Sequence, residues 1–133
     1  MPANSTQAAQ TPIMRRLEGG FGETMGEVRN ISDSEFNDTI NASEWVIVDF
    51  WAPWCAPCKA IGPVLEAVAN EREVLVAKVD TDQNQATAGQ LGVRSIPALF
   101  MYRNGTMVSS KTGGMPKPKL LAWIDEVMNA DDF

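Results

Sequence analysis

Two short apolar runs with a long helical pattern between them constrain the fold of this chain more than any other feature. Residues 46–51 and residues 74–80 have the nearly continuous hydrophobicity of strands that are covered on both faces of a sheet. Between them, residues 57–71 carry apolar side chains at the spacing of one helix face. A strand, a helix and another strand in this order predict a crossover between two parallel strands.

Shorter elements precede and follow this unit. Residues 27–30 predict a short strand, and Ser32 with Glu35 matches a capping box at the start of a short helix. Residues 82–90 predict another short helix. The pair Asn104-Gly105 lies between two strand-like runs and is a strong hairpin signal, and a last helix follows it. The order βαβαβαββα predicts an α/β fold with a central mixed sheet of about five strands flanked by four helices.

The composition excludes several classes of function. A net charge of −6, from 17 acidic and 11 basic residues, argues against binding to nucleic acid, which needs clustered Lys and Arg. No apolar run reaches the length of a membrane span, so we expect no membrane partner. The chain has no histidine, which excludes Cys-His and Ser-His-Asp catalysis as well as His-ligated metal sites.

The sequence predicts one domain, at residues 27–130. We expect residues 1–26 to form a flexible polar extension, because their apolar residues are scattered and glycines interrupt any regular element. No apolar stretch follows Arg15 and Arg16, which is unlike a signal peptide. We expect a cytoplasmic protein with a short acidic tail at residues 131–133; the two arginines leave an organellar location open.

The only two cysteines, Cys55 and Cys58, are three positions apart. As a structural staple the pair would close a very short loop and stabilise the fold by only about 2 kcal/mol. Two thiolates do not complete a structural zinc site, although a metal or iron–sulfur site shared across a dimer stays open. A pair that forms and breaks a disulfide bond is the favoured interpretation.

The predicted position of the pair supports this chemistry. Cys55 lies at the start of the long helix, just before Pro57, and a helix N-terminus stabilises a thiolate. We therefore expect Cys55 to be the exposed sulfur that attacks. Cys58 lies one turn deeper, where it can resolve a mixed disulfide.

Four segments, taken in order, resemble the thioredoxin family: VIVDFWAPWCAPCKAIGP, VAKVDTDQN, GVRSIPALFMYRNG and KTGG. The resemblance covers roughly residues 27–130. It implies the thioredoxin fold and a protein disulfide reductase that works by dithiol–disulfide exchange. The chain departs from the family in having Ala56 where the family usually has glycine between its cysteines, which affects the redox potential in a direction the sequence does not give.

The resemblance also implies the catalytic residues. Cys55 matches the family's nucleophile and Cys58 its resolving thiol, the two forming the redox-active disulfide. Asp49 matches the buried carboxylate behind them, and Lys78 matches a lysine near that carboxylate. Burial is expected to raise the pKa of Asp49 and Lys78 to lower it again, which would leave a base near neutrality for Cys58.

Four more positions match the family's substrate groove. Trp54 matches the aromatic residue before the first cysteine, and Pro97 matches a cis proline that faces the pair. Ile96 and Gly113 match residues that line the groove. Trp51, in contrast, is expected to serve packing.

The resemblance implies no bound cofactor and no metal. Electrons are expected from NADPH through a separate flavin-containing thioredoxin reductase, which with disulfide-containing protein substrates forms the set of partners. We expect a monomer. Two alternatives stay open: an exported, dedicated thiol reductant or oxidant, and a binding module that uses the groove without redox turnover.

Overall fold

The computed structural model of the protein describes residues 26–130. Residues 1–25, within the expected extension, and residues 131–133, the expected acidic tail, lie outside the described residues. The strands of the described region are β1 (Val28–Asn30), β2 (Trp45–Trp51), β3 (Leu75–Asp80), β4 (Ala98–Arg103) and β5 (Thr106–Thr112). Its helices are α1 (Phe36–Ile40), entered through a single 3-10 turn (Asp33–Glu35), α2 (Ala56–Arg72), α3 (Ala86–Gln90) and α4 (Lys117–Asn129). None of these helices combines the length and the apolar character needed to cross a membrane.

The five strands form one mixed sheet in the order β1-β3-β2-β4-β5. β3 pairs in parallel with both β1 and β2, as expected for strands joined by helical crossovers. β4 runs antiparallel to β2 and to β5. The predicted α/β fold, with a mixed five-stranded sheet and four helices, is confirmed.

The antiparallel half depends on the predicted hairpin. Arg103 pairs with Thr106, which leaves Asn104 and Gly105 as a two-residue turn. Both turn residues have positive φ, 52° and 83°, the geometry of a type I′ turn. This turn twists in the same sense as the strands, so the local sequence is sufficient to specify the hairpin.

Each face of the sheet has its own hydrophobic core, and β2 contributes to both. Val46, Val48 and Phe50 pack with side chains from α1 and α3, whereas Ile47 packs with side chains from α2 and α4. Burial of such a side chain contributes about 1.5–3 kcal/mol to stability. Since alternate residues of a strand share a face, the side chain of Asp49 points to the α2 side.

The helix α3 is shorter than predicted and begins at Ala86 rather than at residue 82. The Asp33 carboxylate accepts hydrogen bonds from the backbone N–H groups of Ala86 (3.1 Å) and Thr87 (3.0 Å). These bonds satisfy donors that a helix N-terminus leaves free. A side chain distant in sequence therefore fixes where α3 begins, which the local pattern did not reveal.

We expect Gly105→Ala to lower the free energy of unfolding by about 1–3 kcal/mol, because a side chain is strained at positive φ. An added Cβ there would also overlap Asn41 Oδ1. The control is Gly62→Ala, inside α2, where an added Cβ meets no atom within 4 Å. That change should raise stability by up to about 1 kcal/mol. Urea unfolding measures both, and an equal loss of stability in the two variants would contradict the explanation.

Candidate active site

Cys55 and Cys58 lie at the N-terminus of α2, as the sequence predicted, and form a disulfide bond. Cys55 is the residue that caps the helix, and its Sγ accepts a hydrogen bond from the backbone N–H of Cys58 at 3.2 Å. Pro57 occupies the first turn, where its missing N–H is not needed. The sulfur of Cys55 thus lies at the positive end of a 17-residue helix, which favours the thiolate once the disulfide is reduced.

The exposure of Cys55 differs from the prediction. Only 5% of its surface is exposed, against 2% for Cys58, so the expected exposed attacker is nearly buried. The two cysteines pack with Ala52, and the partly buried Trp51 and Ile96 cover this cluster. The two sulfurs therefore differ little in exposed area, and what distinguishes Cys55 is its position as the capping residue of α2.

The residues assigned to the substrate groove lie close to Cys55. The Ile96–Pro97 peptide bond is cis, and the carbonyl oxygen of Ile96 lies 3.9 Å from Cys55 Sγ. Gly113 has a φ of 94° and donates its backbone N–H to the carbonyl oxygen of Pro97 at 2.8 Å. An added Cβ at Gly113 would meet no atom within 4 Å, so the space in front of this turn is open.

Trp54 forms one side of a cleft beside the cysteine pair. Its side chain is 70% exposed, and its Nε1–H donates a hydrogen bond to Asp82 Oδ1 at 3.1 Å. The cleft has a volume of about 470 Å³ and includes Ile96. The remaining residues that line the cleft are Thr81, Ala88, Val93, Arg94 and Ser95.

Sequence reasoning did not single out Asp82 or Arg94. A usable signal for Asp82 was its position two residues after the predicted end of β3. The carboxyl ends of parallel strands meet at one edge of a sheet, which is where α/β proteins bind ligands. Arg94 lies in a loop for which the pattern offered no comparable indication.

Asp49 is the buried carboxylate of the site. Its side chain is fully buried, and neither of its oxygens accepts a hydrogen bond from any described residue. It is in register with Lys78 on the neighbouring parallel strand. Burial raises the pKa of Asp49 from 3.8 to about 7, and the positive charge of Lys78 opposes this increase, both as expected. The carboxylate can therefore exchange a proton near neutral pH.

Lys78 also contacts an aromatic ring. Its Nζ lies 4.7 Å from the centroid of the Trp51 ring, which is a cation–π contact. Trp51 therefore has a polar neighbour in addition to the packing role expected for it. In the described part of the chain, no group of three or more acidic or cysteine side chains is placed to hold a metal ion.

Comparisons with known proteins agree with this geometry. The sequence model of the thioredoxin family matches residues 27–126. A thioredoxin from Haemophilus influenzae is 44% identical over 105 residues, which cover 77% of this chain and 98% of the relative. Thioredoxin C-2 from Corynebacterium nephridii is 46% identical over 73% of this chain and 93% of its own length. The solved structure of a mutant thioredoxin from Halobacterium salinarum superposes with a TM-score of 0.75 at 31% identity, covering 81% of this chain and 96% of the other.

The raised pKa of Asp49 gives a pH-dependent stability. The native state keeps a proton on this carboxyl up to about pH 7, whereas the unfolded chain releases it near pH 3.8. The native state therefore binds more protons between these values, and its stability falls as the pH rises through this window. From the size of the shift, the loss is on the order of 4 kcal/mol.

We expect Asp49→Asn to remove this slope. The difference in free energy of unfolding between the variant and the parent should grow in favour of the variant from pH 4 to pH 8, by up to roughly 4 kcal/mol. Urea unfolding of the oxidised proteins at several pH values measures it. The matched control is Asp125→Asn. The hydrogen bond from Arg72 lowers the pKa of Asp125, so this carboxylate stays ionised above pH 5 and the change in free energy of unfolding caused by Asp125→Asn should be constant there. If the free energy of unfolding depended on pH equally in the Asp49 variant and the parent, the prediction would be contradicted.

Proposed function

The chain belongs to the thioredoxin family, and on that premise we propose that it reduces disulfide bonds in proteins through a mixed-disulfide intermediate. Members of this family are thiol–disulfide oxidoreductases, so the general class of reaction is given by the family. The observation that carries the proposal is the position of Cys55 Sγ, which accepts the backbone N–H of Cys58 at the N-terminus of α2.

The first half of the reaction uses Cys55. Its thiolate attacks one sulfur of the target disulfide, a bond forms between Cys55 and the target, and the other target sulfur leaves as a thiolate. The helix N-terminus stabilises the negative charge before the attack. The segment of the target that bears the disulfide is proposed to lie along Trp54, Ile96, Pro97 and Gly113. Trp54 and Ile96 line the cleft beside Cys55, and Gly113, which is hydrogen-bonded to Pro97, faces open space.

The second half uses Cys58 and Asp49. The Cys58 thiol gives up its proton, its sulfur attacks Cys55 Sγ, and the second target sulfur leaves, so that two electrons have passed to the target. Asp49 is the proposed acceptor of that proton because its pKa of about 7 is close to a working pH near neutrality. The disulfide formed in this step is the one present in the structure.

The oxidised protein then needs two electrons. We propose that they come from NADPH through a flavin-containing thioredoxin reductase, the donor that the family implies. The sequence of this chain has no glycine-rich dinucleotide fingerprint, so it would receive the electrons by thiol–disulfide exchange with that partner.

Insulin reduction tests the roles of the two cysteines. We expect Cys55→Ser to abolish turnover, because the sulfur at the capping position of α2 is lost and the remaining thiol of Cys58 lies one turn deeper. Cys58→Ser should also stop turnover, but it should retain one round of attack and accumulate a covalent complex with the target through Cys55. Mass spectrometry before and after reduction identifies that complex. Full activity of the Cys55 variant would disprove the mechanism.

The electron donor is tested in the same assay. With NADPH and a thioredoxin reductase present, insulin reduction should consume NADPH in proportion to turnover, and omission of the reductase should stop it. In the control, dithiothreitol replaces NADPH and the thioredoxin reductase, and it should restore turnover if thiol–disulfide exchange at Cys55 and Cys58 is intact. If dithiothreitol supports turnover but none of the thioredoxin reductases tried does, this route of recycling is rejected. The proposed disulfide reductase activity of this chain would then still stand.

A further inference from the structure

Four side chains form a compact group on the α2 side of the sheet. In the parallel register of β2 and β3, Asp49 lies opposite Lys78, and Trp51 lies opposite Asp80. Residues opposite each other in adjacent strands share a face, as do residues two apart in one strand. Trp51 is thus next to Asp49 along β2 and diagonal to Lys78 across the strands.

The contact between Lys78 and Trp51 is close. Lys78 Nζ lies 4.7 Å from the centroid of the Trp51 ring, within the range of a cation–π contact. Both side chains are partly buried, so the ammonium group is not fully solvated. Such contacts strengthen as water is removed from them.

The ammonium group has competing partners on its open side. Lys78 lines a cleft of about 350 Å³ at the carboxyl ends of β1 and β3, and Asp80 and Glu35 line the same cleft. Asp80 Oδ1 accepts the backbone N–H of Asp82, and Glu35 Oε1 accepts the backbone N–H of Ser32. Neither acid forms an ion pair with Lys78 among the described residues, although both attract it.

The other elements packed against Asp49 add little charge. On β4 its neighbour is the apolar Leu99. The titratable groups at the start of α2 are Cys55 and Cys58, which do not titrate in the disulfide form, and the exposed Lys59. Burial has the largest effect on the pKa of Asp49, and the positive charge of Lys78 opposes it, so the position of the ammonium group changes this pKa.

We propose that Trp51 is a positioning residue, whose ring holds the Lys78 ammonium beside Asp49 and away from Asp80 and Glu35. The effect on catalysis rests on the proposed function, in which Asp49 takes the proton of Cys58. The placement of the charge itself does not depend on that function and is measured separately.

The proposal predicts how the pKa of Asp49 responds to the ring. Without the ring, the ammonium group moves toward the acids of the cleft, and the Asp49 carboxylate loses part of the charge that favours its ionised form. The pKa of Asp49 should then rise by about half a unit. Phenylalanine has a weaker π face than tryptophan, so Trp51→Phe should give a smaller rise than Trp51→Leu.

The test is a double-mutant cycle on the oxidised, full-length protein. The Asp49 carboxyl carbon, labelled with ¹³C, is titrated by NMR in Trp51→Leu and Trp51→Phe, each made in the parent and in Lys78→Met. We expect the rise of about half a unit in the parent background and almost none in the Lys78→Met background. If Trp51→Leu does not fold, Trp51→Phe serves instead. The smaller rise in the pKa of Asp49 in that variant should likewise disappear in the Lys78→Met background.

Two results would overturn the inference. Equal shifts in both backgrounds would mean that Trp51 acts by excluding water or by shaping the core, and no shift in the parent would mean that it does not position the charge. The proposed function fails differently: Asp49→Asn would then leave the decay rate of the mixed disulfide and its pH profile unchanged. Each failure can be observed without the other.

Discussion

The parallel pairing of β2 with β3 is the constraint on which the site depends. It sets Asp49 opposite Lys78 within the sheet and ends β2 at the point where the chain turns into α2. The same stretch of chain thereby delivers a buried carboxylate and a sulfur at a helix N-terminus. A shift of the register by one residue would turn Asp49 toward α1 and α3, away from the face of the sheet that α2 covers.

Most of the fold could be predicted from local patterns. The buried strands, the long helix and the Asn104-Gly105 turn are specified by contiguous residues, and their boundaries in the structure lie close to those expected. The position of the cysteine pair follows from the start of α2 for the same reason. The beginning of α3 could not be predicted in this way, because Asp33 caps it from a distance of more than fifty residues along the chain.

The site was predictable in its residue types but less so in its surroundings. The lone carboxylate in an apolar strand indicated burial and a raised pKa, and both are present in the structure. The near-burial of Cys55 and the contact of Trp51 with Lys78 arise where separate elements meet, so no spacing in the sequence indicates them. The hydrogen bond between Trp54 and Asp82 also joins separate parts of the chain, and sequence spacing does not indicate it either.

The cap that Asp33 provides for α3 has a consequence for the cleft. Ala88, on that short helix, lines the same cleft as Trp54, so this part of the cleft is anchored by a carboxylate that lies just after the first strand. The turn that follows β1 therefore holds one wall of this cleft in position. Substitution of Asp33 would therefore change the shape of this cleft while leaving the disulfide bond at the start of α2 in place.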